Sequence, residues 1–346
     1  MGLFAYDVGI DLGTANIRLF VKGKGILVDE PSVVLISQEN RRKRARLIAI
    51  GHDALNYMGR ESIGERCILP LKDGIIDQNE AAAFLLNAHL NMTVGRSHLF
   101  KPRVFITYPC NTSDNNKKIL RDLCISVGAG KVVLISKPFA SAAGGGLHVF
   151  DAKGSMIVDM GAGTIDIAAV SLGGLAVSHS INYAGNRMND AIIAYFHSKN
   201  KIDISWNAAE SLKLDLGCAV PQLHDRTSVA SGKYTGYGNQ VNFNVSSKDI
   251  YEALTDSRAA IINSIMYVLK TLPPAMIPDV MEKGIYLTGG ASQMPGLREF
   301  IYNELKMQVN LALEPTRSAI YGLKYIINNL DGILKQGKIS FLEVDI

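Results

Sequence analysis

The chain has 346 residues, 47% of them hydrophobic, and a formal net charge of +4 at pH 7. This length and apolar content allow a large buried core and two or more domains, and the small net charge gives no argument for a nucleic-acid partner. The cysteines, Cys67, Cys110, Cys124 and Cys218, are scattered without a CxxC pair, which predicts reduced thiols of a cytoplasmic protein and not a metal site.

The sequence has no segment with the composition of a membrane-spanning or secretory element. A spanning helix needs about 18 consecutive apolar residues, and no such run occurs. Residues 1–7 lack a basic region, and Asp11 follows too early for a signal peptide. We therefore expect neither a spanning helix nor a secretory signal.

Two similar short motifs each predict a β-hairpin closed by a glycine turn. The first is residues 9–14 (GIDLGT) with a strand at 17–21, and the second is residues 158–164 (VDMGAGT) with a strand at 165–172. Glycine lets backbone N–H groups approach an anion, threonine adds a hydroxyl donor, and an aspartate among phosphates is best explained as a partner for Mg²⁺. One copy alone is a common turn, but two facing copies would grip a nucleoside triphosphate.

The remaining elements alternate between strands and helices. Strand-like runs lie at 104–108, 132–135, 156–159 and 285–287, and helix-like runs lie at 80–90, 114–127, 189–198 and 256–270. Ser113 or Asp114 would cap the helix from 114, and Gly128 would end it. Residues 232–238, rich in Gly and Tyr, predict a loop before a strand at 240–245. The pattern indicates an α/β fold with sheets covered by helices.

A third motif follows the strand-like run at 284–288. Gly289 and Gly290 lead into an apolar-periodic stretch at 297–305, which predicts a helix. A glycine pair between a strand and a helix presents a flat backbone surface on which an adenine or a ribose can lie.

The order of the three motifs, Asp-Leu-Gly-Thr, Asp-x-Gly-x-Gly-Thr and Leu-Thr-Gly-Gly, resembles that of the superfamily of actins, sugar kinases and heat-shock chaperones. Within it the chain is similar to the MreB family of bacterial actins. The stretches that carry this resemblance are residues 9–16, 21–25, 30–34, 66–74, 99–103 and 184–188. The resemblance implies an actin-like (ribonuclease H-like) α/β fold, with two halves around a nucleotide cleft.

Each half would contain a large and a small subdomain. The limits that the resemblance implies are residues 1–31, 71–145 and 314–346 for subdomain IA, 32–70 for IB, 146–181 and 248–313 for IIA, and 182–247 for IIB. Movement of one half against the other would couple nucleotide state to shape.

The resemblance also assigns roles to single residues in a site for ATP or ADP. Asp11 and Asp159 match acidic positions that hold Mg²⁺ through water. Glu210 and Lys213 match positions that contact the nucleoside, although their i,i+3 spacing also fits a plain surface ion pair. The other nucleotide-binding residues that it implies are Gly13, Thr14, Ala15, Asn16, Gly161, Ala162, Gly163, Thr164, Gly289, Gly290 and Ala291.

One position departs from the family pattern in its chemistry. MreB-like chains carry a Glu that orients the attacking water at the position of Lys137, just before Pro138. An ammonium, with a reference pKa of about 10.4, is only a hydrogen-bond donor at neutral pH. We therefore expect ATP binding with slow hydrolysis. Lys137 and Thr164 are the residues expected at the catalytic position. The alternative is that Lys137 points to solvent and another group positions the water.

The resemblance further implies a cytoskeletal filament at the inner face of the cell membrane that acts in cell shape or motility, alone or with related copies. Leu99 and Phe100, followed by Lys101, match a membrane-inserting loop. Apolar residues beside cations suit an anionic lipid surface, and core packing is the alternative. The basic residues 41–46 are either the solvated tip of a hairpin or a contact with lipid or an acidic neighbour.

A small-molecule kinase of the same superfamily is the second function class. A kinase needs a carboxylate base for the substrate hydroxyl. Only Asp166 lies beside the second glycine turn, and strand alternation should direct it away from the nucleotide. A polymerising, weak ATPase is therefore the favoured function.

Overall fold

The computed structural model describes residues 6–38, 45–95, 101–221, 226–236, 238–337 and 342–344. Its strands are β1 (Asp7–Leu12), β2 (Asn16–Val21), β3 (Gly25–Pro31), β4 (Val34–Ser37), β5 (Arg46–Ile50), β6 (Glu65–Ile68), β7 (Leu71–Lys72), β8 (Ile75–Ile76), β9 (Arg103–Tyr108), β10 (Lys131–Ser136), β11 (Ser155–Met160), β12 (Ile165–Ser171), β13 (Gly174–Ile181), β14 (Ile202–Asp203), β15 (Thr227–Tyr234), β16 (Gln240–Ser246), β17 (Ile285–Thr288), β18 (Val309–Leu311) and β19 (Leu342–Val344).

The α-helices are α1 (Gly51–Leu55), α2 (Asn79–Val94), α3 (Asp114–Ser126), α4 (Lys137–Gly144), α5 (Gly185–Asn200), α6 (Trp206–Leu216), α7 (Ser247–Ala253), α8 (Thr255–Thr271), α9 (Ile277–Lys283), α10 (Leu297–Leu305), α11 (Ser318–Asn328) and α12 (Leu330–Lys335). Short 3₁₀ turns form at Pro274–Met276, Gly290–Gln293 and Pro315–Arg317.

Two large sheets repeat one topology. In the first, β1 pairs antiparallel with β2 and parallel with β9, and the strand order is β19-β10-β9-β1-β2-β3. In the second, β11 pairs antiparallel with β12 and parallel with β17, in the order β13-β12-β11-β17-β18. When the strands of each sheet are numbered in chain order and the edge strand β19 is left out, both sheets have the strand order 3-2-1-4-5. The turns after β1 and β11 therefore occupy equivalent positions, at the carboxyl ends of parallel strands where α/β folds bind ligands.

Smaller sheets extend from both halves. One has the order β5-β4-β6, another has the order β14-β15-β16, and β7 and β8 form a two-stranded sheet. The strands β4 and β5 pair antiparallel, which confirms the hairpin predicted around the basic cluster. Residues 41–44 at its tip lie outside the described residues.

The predicted hairpins, strands and helices are confirmed, with ends that shift by a few residues. The Ser113 side chain accepts a hydrogen bond from the Asn116 backbone N–H at 3.3 Å, so Ser113 is the cap of α3. Gly128, with φ of +110°, follows the end of α3 as predicted.

The predicted loop at 232–238 is wrong in its first part. Gly232 lies within β15 and pairs with Val241 of β16. A Cβ on Gly232 would lie 2.5 Å from the Ile202 side chain, so this glycine admits the close approach of β14 and does not mark a turn.

The helices α4 and α11 pack between the two large sheets. Their apolar side chains share one buried cluster with residues of β9, β10, β11 and β12. The two helices cross at backbone contact distance, because a Cβ on Gly144 would collide with the Ser318 carbonyl and one on Gly322 with the Ala140 carbonyl. This crossing fixes α4, which starts at Lys137, relative to both sheets.

Within the described ranges, no single helix is long and apolar enough to cross a bilayer. The pair formed by Thr255–Thr271 and Pro274–Lys283, which is bent by 111°, meets the length and composition test only when taken together.

The α4–α11 crossing predicts a specific sensitivity to side-chain size. Gly322→Ala places a methyl group on the Ala140 carbonyl, and such overpacking typically lowers the free energy of unfolding by about 1–3 kcal/mol. Gly332→Ala in α12 is the matched control, because its Cβ would meet no atom within 4 Å and alanine favours a helix by up to about 1 kcal/mol. Urea unfolding measures both. Equal stability of the two variants would contradict this packing.

Candidate functional site

A cavity of about 460 Å³ lies where the turns after β1 and β11 face α5, α6 and the loop after β17. Most residues predicted for nucleotide and metal line it. They are Asp11, Gly13, Thr14, Ala15, Asn16, Lys137, Asp159, Gly161, Ala162, Glu210, Lys213, Gly289, Gly290 and Ala291. Gly163 and Thr164 lie behind this lining, and Leu99 and Phe100 lie outside the described residues.

The two glycine turns touch each other beside the cavity. The Thr14 hydroxyl accepts a hydrogen bond from the Gly74 backbone N–H at 3.0 Å, and a Cβ on Gly163 would collide with that hydroxyl and lie 2.8 Å from the Gly74 nitrogen. Only glycine at 163 lets the turns meet this closely. Backbone N–H groups of both turns can therefore reach one anion.

Asp11 and Asp159 are the buried carboxylates at the floor of the cavity, each 3% exposed. Asp11 accepts a hydrogen bond from the Thr107 hydroxyl at 2.9 Å, and Asp159 accepts one from the Ser141 hydroxyl at 2.5 Å. Burial raises the pKa of the Asp159 carboxyl, while Lys137 and Ser141 act in the opposite direction.

Lys137 points into the cavity and not to solvent. Burial disfavours its ammonium, but Asp159, Asp11 and Asp166 together hold the pKa of Lys137 above its ordinary value. A Cβ on Gly161 would lie 3.7 Å from Lys137 Nζ, which places the ammonium beside the second glycine turn. Lys137 is therefore charged at neutral pH and can donate to any phosphate held there.

The donor set was compared with what magnesium requires. Mg²⁺ keeps several waters and is usually held by one or two carboxylates together with phosphate oxygens. Asp11 and Asp159 offer such hard oxygen donors, but each already accepts a hydroxyl hydrogen bond. Over the described ranges no group of three or more His, Cys, Asp or Glu side chains could hold a metal. The residues therefore fit magnesium carried by a phosphate and reached through water.

Asp166 lies behind the second turn. It does not line the cavity, as strand alternation predicted. Its carboxylate accepts hydrogen bonds from the Thr164 hydroxyl at 2.9 Å and from the Cys110 backbone N–H at 3.1 Å. Burial, reinforced by Asp166, raises the pKa of the Cys110 thiol, so this cysteine is unreactive. Asp166 fixes the Thr164 hydroxyl and links the β12 strand to the segment after β9.

Glu210 and Lys213 form an ion pair at 2.8 Å within the cavity wall. The Lys213 side chain is 11% exposed and also donates to the Gly185 carbonyl at 3.0 Å, and Asn189 donates to Glu210 at 2.6 Å. Such buried bonds distinguish this pair from a solvated surface pair. The ion pair that the i,i+3 spacing predicts is therefore present, and it lines the cavity.

The loop after β17 approaches the carboxylate floor closely. Gly289 has φ of +83°, and a Cβ there would lie 2.6 Å from Asp159 Oδ1 and 2.5 Å from the Met160 carbonyl carbon. A side chain at 289 would be strained and would displace this loop. A Cβ on Gly290 would lie 3.9 Å from the Thr316 side chain, with no closer contact, and Gly290 lines the cavity.

Sequence reasoning missed several residues that line the cavity, and Arg18 is the most consequential. Its guanidinium is 2.8 Å from Asp29 and 3.7 Å from Asp11. A charged residue between Ile17 and Leu19 in an apolar strand was the available signal. Ser141 follows Lys137 by one helical turn. The other missed lining residues are Gly185, Asn186, Met188, Trp206, Leu214, Gln293, Met294, Pro295, Pro315, Thr316 and Ala319.

Comparison with known proteins agrees with this geometry. The family model described as MreB/Mbl protein matches residues 5–335. The cell shape-determining protein Mbl of Bacillus cereus is 34% identical over 334 residues, which cover 96% of this chain and 99% of Mbl.

Solved structures share the fold. MreB5 of Spiroplasma citri bound to ADP superposes with a TM-score of 0.88 at 26% identity, over 96% of this chain and 99% of that one. Its AMPPNP-bound form gives a TM-score of 0.87 at 27% identity, over 96% and 98%. The MamK double helical filament, at 22% identity, gives 0.76 over 93% and 98% and shows the fold alone.

The two repeated sheets, with glycine turns facing one cavity, are thus the actin-like fold that the resemblance implied. A family model that spans nearly the whole chain and a full-length relative above 30% identity establish the family. The chain belongs to the MreB/Mbl family of actin-like proteins.

Proposed function

We propose that this chain binds ATP and ADP in the cavity between its two halves. The observation that carries the proposal is the convergence of two glycine turns, a third glycine loop and the Glu210–Lys213 pair on one cavity of about 460 Å³. The MreB5 structures of Spiroplasma citri, which are bound to ADP and AMPPNP, support it. In this proposal the two glycine turns hold the phosphates, the Glu210–Lys213 pair contacts the nucleoside, and Gly289, Gly290 and Ala291 contact the adenosine.

The nucleotide-bound chain polymerises into cytoskeletal filaments, with itself and with related copies as partners. Support comes from the family relative Mbl, which is named for determining cell shape. The function that follows is cell shape or motility. The four subdomains have the limits stated above, and each sheet of the structure falls within one of them.

Hydrolysis of ATP by this filament is slow. The cavity floor holds the ammonium of Lys137 near the second turn, and Asp166 already engages the Thr164 hydroxyl. An ammonium cannot accept a proton, and Asp166 does not line the cavity, so neither group is placed to act as the base for an attacking water. A positioned general base contributes roughly 10²–10⁴-fold in rate, so the chain is a weak ATPase.

Where magnesium accompanies the nucleotide, Asp11 and Asp159 would hold it through water. When bound, it supplies positive charge to the phosphate oxygens. The protein's own task is to hold those two carboxylates in place, through the hydroxyls of Thr107 and Ser141.

The filament lies in the cytoplasm, at the inner face of the cell membrane, and Leu99 and Phe100 are its lipid-facing residues. The sequence between α2 and β9 places them beside Lys101 and Arg103. Apolar residues next to cations suit an anionic interface, and two of them bind weakly, so the filament supplies multivalency.

Sedimentation tests the function directly. Purified protein is centrifuged without nucleotide, with ADP and with ATP, while phosphate release is followed. We expect pelleting with ATP and little released phosphate. A soluble monomer that consumes ATP only when a small hydroxyl compound is added would replace this proposal with the kinase function.

Replacement of Lys137 separates loss of the ammonium from gain of a base. Lys137→Glu supplies a carboxylate that can accept a proton, and at saturating Mg²⁺ and ATP we expect phosphate release to rise by roughly 10-fold or more, within the range for a general base. Lys137→Met is the control, because it removes the charge without adding a base, and its rate should stay low. Rapid turnover by the unmodified protein, or an equal gain in both variants, would contradict the role given to Lys137.

Vesicle flotation tests the lipid contact. Leu99→Ser with Phe100→Ser should abolish flotation of polymerised protein with anionic vesicles, since the apolar side chains that enter the interface are removed. Ile63→Ser with Leu313→Ser is the matched control, because both side chains are fully exposed and lie elsewhere in the sequence. Unchanged flotation of the first variant would exclude this loop as the membrane contact.

A further inference from the structure

The floor of the cavity carries its own positive charges. Asp11 and Asp159 at the floor, and Asp166 behind it, are each at most 3% exposed. Two cations line the same cavity: Arg18 lies 3.7 Å from Asp11, and Lys137 is in a position where all three carboxylates favour its charged form. These five side chains together carry one net negative charge when no ligand is bound.

The helix that carries Lys137 fixes the backbone of this residue. Lys137 is the first residue of α4, and α4 is fixed between the two sheets by its backbone contact with α11. The Nζ atom lies beside Gly161, at the second glycine turn. A lysine in this position presents a point charge to a phosphate held at that turn.

Arg18 extends the positive charge on the opposite side of Asp11. Arg18 is 9% exposed, and its guanidinium lies between Asp11, at 3.7 Å, and Asp29, at 2.8 Å. Asp29 is in turn 2.8 Å from Arg317, on the 3₁₀ turn next to Thr316 in the cavity wall. The guanidinium is thus fixed on both sides.

These two cations change what a polyphosphate needs in order to bind. A triphosphate that approached three unpaired carboxylates would be repelled unless a divalent ion came with it. Here the ammonium and the guanidinium already offset most of that repulsion, and the ammonium also attracts the phosphates. A divalent ion that reached Asp11 and Asp159 would meet two like charges.

We propose that Lys137, assisted by Arg18, serves as a built-in counter-ion, so that ATP and ADP bind this chain with little dependence on divalent cations. The inference rests on the proposed nucleotide function and deepens it. Lys137 would then have two effects: it binds phosphate, and it leaves the site without the carboxylate that orients water in MreB-like chains.

Isothermal titration calorimetry with ATP and with ADP tests the proposal, in MgCl₂ and in EDTA. We expect the Kd of the unmodified protein to change by less than about tenfold between the two conditions, which corresponds to about 1.4 kcal/mol. Binding in MgCl₂ but not in EDTA would overturn the built-in counter-ion and leave the nucleotide function intact. Binding in neither condition would overturn the nucleotide function, and the inference with it.

Variants assign the effect to Lys137. In Lys137→Glu the local charge falls by two units, and we expect removal of magnesium to weaken binding by about 100-fold or more, since close charges interact strongly at partly buried sites. Lys137→Met should show an intermediate loss, and circular dichroism confirms that both variants are folded. Lys118→Glu, an exposed lysine on α3, makes the same change in net charge and should bind as the unmodified protein does. Magnesium-independent binding by both folded Lys137 variants would overturn the assignment.

Discussion

Neutralisation of three buried carboxylates is the constraint on which the nucleotide cleft of this protein depends. Asp11 in β1 and Asp159 in β11 line the floor of the cavity, and Asp166 in β12 lies behind the second glycine turn. Buried charges must be paired, because desolvation strongly disfavours an isolated ion. Lys137 lines the same cavity, where all three carboxylates favour its charged form, and the hydroxyls of Thr107, Ser141 and Thr164 supply hydrogen bonds. The chemistry available to a bound nucleotide is set by this arrangement.

Close contacts between helices and sheets position the helix that carries Lys137 beside the cavity. The α4 helix lies between the two sheets and crosses α11 at Gly144 and Gly322, where no side chain would fit. The third glycine loop reaches the same floor, because Gly289 packs against Asp159 and Met160. A shift of one half relative to the other would change the positions of Lys137, Asp11 and Asp159 relative to one another. We propose that nucleotide state and the shape of the molecule are coupled in this way.

Much of this was predictable from the sequence. Glycine turns after apolar strands predicted both hairpins, periodicity predicted the helices, and the repeated motif predicted that Asp11 and Asp159 would lie near each other. The loop predicted from Gly232 was wrong, because that glycine serves the packing of β14 and not a turn. The contacts of Arg18 with Asp11 and Asp29, and the surroundings of Lys137, depend on strand pairing and helix packing, which local sequence patterns do not encode.

A crystal structure of this protein with AMPPNP, grown with and without magnesium, would test the account most directly. We expect Lys137 Nζ to lie within about 3 Å of both an Asp159 oxygen and a phosphate oxygen, a normal charge-assisted hydrogen-bond distance, and the nucleotide to occupy the cavity in both crystals. A structure in which Lys137 turns out to solvent, and phosphates are ordered only when a magnesium ion is present, would contradict it.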